Sequence, residues 1–229
     1  MRKTLLAALS MLIMLLFTAC GPTPPAAEKV PETPAETPSE KPAENTATAE
    51  NTPAASNSKI LVAFFSRAGD NYETGVIEKG NTKIMAEFIA QKTGADLFEI
   101  KPVTPYPEDY RQCTEVAKKE LETNARPEIA AYPKNLQNYD VIFLGFPIFW
   151  SDFPMIIYTF LEKQDFNGKT IIPFCTSAGT YMTGKESTIP EIAKGSTIRE
   201  GLGIKGKDCQ ENPDAVREKV NAWLAGLGY

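Results

Sequence analysis

Two short apolar runs constrain this chain more than any other feature. Ile60-Leu61-Val62-Ala63-Phe64-Phe65-Ser66 and Val141-Ile142-Phe143-Leu144-Gly145-Phe146-Pro147-Ile148-Phe149-Trp150 are continuous, β-branched and aromatic. Runs of this kind read as strands buried on both faces, the situation of a strand inside a parallel sheet. Both are too short to be membrane helices. The first leads into small polar residues and then to Gly80-Asn81-Thr82 at the start of a helix, and the second presents large flat side chains. In an open parallel sheet, ligands sit beyond the carboxyl ends of the strands, where the strand order reverses. A phosphate-type loop beside an aromatic wall therefore points to a phosphorylated planar ligand.

Strand and helix signals alternate along the rest of the chain. Strands are expected over 59–65, 96–100, 139–145 and 169–175, with an edge strand over 197–204 weakened by Gly201 and Gly203. Helices are expected over 80–92, stopped by Gly94, and over 108–122, 154–161, 186–194 with Pro190 interrupting, and 212–224. Five strands and five helices in alternation argue for an α/β protein, a parallel sheet covered on both faces.

The ends of the chain read differently. Arg2 and Lys3 precede an apolar stretch from Leu5 to Phe17, and the segment closes on Phe17-Thr18-Ala19-Cys20. Small residues before a cysteine resemble the bacterial lipobox, in which the signal is removed and the cysteine is lipidated; the alternatives are an ordinary secretory signal or an uncleaved anchor. Residues 21–57 hold eight prolines and no aromatic residue, with Glu, Thr, Ala and Ser making up most of the remainder. That composition is expected to form a disordered tether between a signal peptide at 1–20 and a domain at 58–229. The resulting expectation is a domain attached to a membrane through lipidated Cys20, on the extracytoplasmic face of the cell envelope.

Several function classes are disfavoured by composition. From Ser58 to Tyr229 there are 20 basic and 23 acidic residues, so the domain has no basic footprint for nucleic acid. The chain contains no histidine, which removes Ser-His and Cys-His nucleophiles and His-ligated metal sites, and no metal is expected. Cys113, Cys175 and Cys209 show no Cys-x-x-Cys spacing, and a Cys113–Cys209 bridge is one option.

Phosphate binding needs hydroxyls and uncommitted backbone N–H groups at a helix start, where the helix dipole favours negative charge. Ser66, Asn81 and Thr82 supply such side chains, Gly80 permits close approach, and Arg67 adds a charge; the alternative is that Ser66 and Thr82 cap a strand and a helix. Phe149 and Trp150 are candidates for stacking against a planar ring, with Pro147 and Ile148 shaping the loop behind them, although Phe146 and Phe149 would also suit the core. The Thr176-Ser177-Ala178-Gly179 loop offers backbone donors to a ring edge, and Tyr181 is either a ring cover or a surface residue.

Phe64-Phe65-Ser66-Arg67-Ala68-Gly69 with Gly80-Asn81-Thr82, then Gly145-Phe146-Pro147-Ile148-Phe149-Trp150, then Pro173-Phe174-Cys175-Thr176-Ser177-Ala178-Gly179 together resemble the flavodoxin family, in its bacterial short-chain branch. The likeness spans 58–229 and includes 93–100 and 106–110. It implies a flavodoxin-like three-layer sandwich, a five-stranded sheet of order 2-1-3-4-5, and non-covalent FMN held by the loops just named, Ala68 included. Asp70–Gly80 departs from the family pattern as an insertion, expected to be either a flap over the flavin or a loose excursion. The function implied is an FMN-dependent redox protein, serving either a partner protein or a small quinone-like acceptor. Its rival is a lipoprotein that keeps the fold without the cofactor.

Overall fold

The computed structural model describes residues 59–179 and 182–229. The signal, the tether, Cys20 and Tyr181 lie outside the described residues. Strand β1 (Ile60–Phe64) is followed by a small antiparallel hairpin, β2 (Gly69–Asn71) and β3 (Gly75–Ile77), and then by helix α1 (Asn81–Thr93). Strand β4 (Asp96–Glu99), helix α2 (Tyr110–Glu122), strand β5 (Val141–Pro147) and helix α3 (Met155–Lys163) come next. The chain continues through β6 (Thr170–Ser177), the single turn α4 (Ile189–Ile192), β7 (Thr197–Ile198) and β8 (Leu202–Lys205), and ends in α5 (Gly206–Glu211) and α6 (Pro213–Gly226).

The main sheet runs β4-β1-β5-β6, with β7 and β8 both pairing in parallel with β6. Taking β7 and β8 as one interrupted edge strand gives the expected order, but the sheet holds six segments rather than five. Pro173 accounts for the break. Thr197 N donates to Lys169 O and Arg199 N to Ile171 O, so residues 169, 171 and 173 turn their backbone groups toward the edge. At the next position in that row Pro173 has no N–H to give. The chain bypasses it through Arg199–Gly201, where a Cβ on Gly201 would stand 2.5 Å from Pro173 O.

Strand alternation builds two cores. Leu61, Ala63, Ile142, Leu144, Ile171 and Cys175 face α3 and α4, meeting Ile156, Phe160 and Ile189. Val62, Phe64, Phe143, Ile172 and Phe174 face the other way, meeting Met85 and Ile89 of α1, Cys209 of α5 and Val216, Val220 and Leu224 of α6. The helix ends follow local rules. Gly94 closes α1 in the left-handed region, and Asp109 caps α2 by accepting from Gln112 N. Pro190 lies in the first turn of α4 rather than interrupting a longer helix, and Pro213 opens α6.

Cys113, Cys175 and Cys209 are all buried and none is in a disulfide, which corrects the option of a Cys113–Cys209 bridge. Burial pushes the Cys175 and Cys209 thiols up to about 12. No helix among the described residues is long and apolar enough to cross a membrane.

Candidate functional site

A cleft of about 380 Å³ opens at the carboxyl ends of β1, β5 and β6. It lies where the order reverses, since the chain leaves β1 for β4 on one side and reaches β5 on the other. Ser66, Arg67, Asn81, Thr82, Pro147, Ile148, Phe149, Trp150, Thr176, Ser177 and Ala178 all line it. Ala68, Gly80 and Gly179 do not.

The loop after β1 is packed tightly against the start of α1. A Cβ on Gly80 would lie 2.2 Å from Ser66 Oγ and 2.5 Å from Arg67 O. Ser66 Oγ accepts from Lys83 N at 3.1 Å, and Ile84 N donates to Gly80 O. Ser66 thus caps the helix from the preceding strand. The amides of Asn81 and Thr82 are left as first-turn donors at the positive end of the helix dipole. Thr82 is buried, and its hydroxyl shares a 2.8 Å hydrogen bond with that of Thr176, pinning the helix start to the end of β6. Asn81 Oδ1 accepts from Gln210 Nε2 at 2.7 Å, and Gly206 leaves room for the Asn81 amide.

Arg67 stands beside this loop as a latch. Its Nη1 donates to the carbonyls of Ala68, Pro107 and Glu108, and its Nη2 to that of Asp70. Those bonds fasten the β2–β3 hairpin to the segment before α2, with Asp70 N donating to Glu108 O at 2.9 Å. The hairpin tip is held from the other side by a 2.8 Å ion pair between Glu73 and Lys205. The Asp70–Gly80 insertion is therefore an ordered wall of the cleft, contributing Asn71 and Tyr72.

The aromatic loop divides its two large residues. Phe149 packs edge-on against Phe65 and Tyr106, joining the core while still lining the cleft. Trp150 is 52% exposed; its indole N–H donates to Thr114 O at 3.0 Å, and Lys118 Nζ lies 5.7 Å from the ring centroid. Trp150 and Ser151 both have left-handed backbone, and Phe149 and Asp152 exchange two backbone hydrogen bonds across them. This is a turn of the primed type, which prefers Asn-Gly. Exposed Ser151 carries a side chain in that strained position, so Ser151→Gly should stabilise the protein by about 1 kcal/mol. A urea midpoint that stays put or falls would show that the turn is unstrained.

Asp152 is buried and anchors the turn. Its carboxylate accepts from Phe153 N and Tyr158 OH and pairs with Lys185 at 3.3 Å. Behind Phe149, Tyr106 OH donates to Glu120 at 2.6 Å. Burial raises both groups, and the carboxylate's hydrogen bond pushes the phenol further up.

Helix α2 supplies a wall that sequence reasoning missed. Tyr110, Cys113, Thr114 and Ala117 line the cleft, together with Asn71, Tyr72 and Gly206. The i, i+3, i+4 and i+7 spacing of the α2 group on one amphipathic helix was the available signal. Tyr72 and Tyr110 bring their rings to 5.9 Å. Among the described residues no cluster of His, Cys, Asp and Glu is suited to a metal ion.

A doubly wound α/β sheet with one cleft wall built from a helix start and another from an aromatic turn defines a nucleotide-binding protein of the open-sheet class. A family model described as flavodoxin matches residues 59–224, and the chain belongs to the flavodoxin family. It is similar to a protein from Bacteroides eggerthii assigned as a flavoprotein, with 29% identity over 76% of this chain and 99% of that one and a TM-score of 0.59. A counterpart from Bacteroides uniformis is also 29% identical, over 73% of this chain and 98% of that one, at a TM-score of 0.57. A flavoprotein from Lactobacillus acidophilus, solved in complex with FMN, is 25% identical over 63% of this chain and 91% of that one, at a TM-score of 0.50. The curated proteins contain no match.

Proposed function

We propose that this chain binds FMN non-covalently in the cleft and uses it for electron transfer, either with a partner protein or to a small planar acceptor such as a quinone. The observation that carries this reading is the pairing, within one cleft, of free first-turn amides and hydroxyls with an aromatic turn. The Gly80 backbone, packed where a Cβ has no room, suits a loop that must approach a phosphate closely. The flavin, when bound, supplies the redox chemistry. The chain's own residues orient and shield it. Asn81 and Thr82 present donors to the phosphate, while Trp150 and Phe149 exclude water from a ring face. Backbone groups of Ser177 and Ala178 are placed to bond a ring edge.

Fluorescence titration with FMN tests the site. The protein should quench FMN fluorescence stoichiometrically, and a protein that leaves the signal unchanged would sink the reading. Trp150→Ala should weaken binding by about 1–3 kcal/mol, within the range for losing an aromatic anchor. An unchanged dissociation constant would remove Trp150 from the site. Oxidation of NADH or NADPH in the steady state separates a reductase from a carrier.

The proposal extends to location: lipidated Cys20 attaches the domain, through the Pro-rich 21–57 segment, to the extracytoplasmic face of a membrane. The support is the Thr18-Ala19-Cys20 sequence after an apolar stretch. Cys20→Ala should move the protein from the membrane fraction to the soluble one. Continued sedimentation with membranes would rule out the lipid.

A further inference from the structure

Among the described residues lining the cleft, Arg67 carries the only formal charge, and no Asp or Glu is present. Its guanidinium is surrounded by neutral acceptors, the carbonyls of Ala68, Asp70, Pro107 and Glu108. None of the ion pairs among the described residues includes it. Its Nε–H is buried and has no partner. The cation is thus held in place and left without an anion.

Its field reaches the α2 wall. Burial raises the Tyr110 phenol and the Cys113 thiol, and at both the Arg67 charge pulls the other way. That pull exceeds the opposing influence of Asp70 on Tyr110 and of Glu120 on Cys113. A cation that acts across a partly desolvated cleft acts also on whatever occupies it.

We propose that Arg67 biases bound FMN toward its reduced form, so that this protein holds reduced FMN more tightly than oxidised FMN. The inference rests on the FMN reading above. Taking up two electrons and one proton converts the neutral ring system into an anion. A fixed cation with no competing carboxylate in the lining favours that added charge. The bound flavin is then easier to reduce than free FMN and accepts electrons from weaker reductants.

The test is an equilibrium redox titration of the full chain loaded with FMN, reduced stepwise with dithionite, beside titrations with oxidised FMN and with riboflavin. The expected result is at least about tenfold tighter binding of the reduced form, a midpoint about 30 mV above that of free FMN for a two-electron couple. Arg67→Gln should abolish that preference, and Arg67→Lys, which keeps the charge, should retain it. Tighter binding of the oxidised form by the unaltered protein overturns the proposal without any variant, so a misfolded Gln variant leaves it testable. Equal loss in the Lys and Gln variants overturns it by tracing the effect to the carbonyl latch. Weakened FMN but not riboflavin binding in Arg67→Gln, with an unchanged midpoint, assigns Arg67 to the phosphate and also overturns it. A protein that binds neither flavin fails at the earlier step, and both readings fall.

Discussion

Alanine at Gly80 should lower FMN affinity by about 100-fold, or about 2.7 kcal/mol. The new methyl group would meet Ser66 Oγ at 2.2 Å and the Arg67 carbonyl at 2.5 Å. The carbonyl belongs to the main chain, so no rotamer change relieves the contact and the loop must move. Moving it separates Ser66 from the Lys83 amide and shifts the α1 donors that would meet a phosphate. Riboflavin, which lacks the phosphate, should lose much less affinity. Equal losses for FMN and riboflavin would show that the loop supports the ring rather than the phosphate, and an unchanged FMN dissociation constant would remove the loop from the site.

The largest effect on stability is expected from Gly145→Ala. Gly145 pairs with Phe174 across β5 and β6, and a Cβ would meet the Phe174 ring at 2.2 Å. That ring is fully buried against α1 and α6 residues and has nowhere to retreat. Overpacking of this kind destabilises by about 2–3 kcal/mol. For a domain of this size the melting temperature should drop by roughly 5–10 °C. A melting temperature within a degree of the unaltered protein would show that the Phe174 ring moves aside freely.

The strands and their buried character were legible because Val62, Phe64 and Phe143 alternate with Leu61, Ala63, Ile142 and Leu144 in runs that only a doubly covered sheet accommodates. Most of the phosphate-type loop was legible too, since a strand ending in Ser66 and a helix opening at Asn81 are local signals. The hairpin was not. Its order depends on Arg67 reaching the carbonyls of Pro107 and Glu108, some forty residues away, and main-chain acceptors leave no mark on composition. The split edge strand was half visible. Gly201 and Gly203 signalled weakness, but which neighbour Pro173 faces is decided by register alone. The divergent fates of Phe149 and Trp150 follow from the left-handed turn at Trp150-Ser151, which neither residue type favours.

The interrupted edge also bears on how such molecules behave when crowded together. An exposed sheet edge is a template for pairing with a neighbouring chain. Here the outer edge on one side is only Thr197–Ile198 and Leu202–Lys205, separated by the Arg199–Gly201 detour. The opposite edge, Asp96–Glu99, is four residues long with a carboxylate at each end. Neither offers an uninterrupted ladder long enough to recruit a second molecule. The proline that splits one edge strand thereby also guards the fold against aggregation.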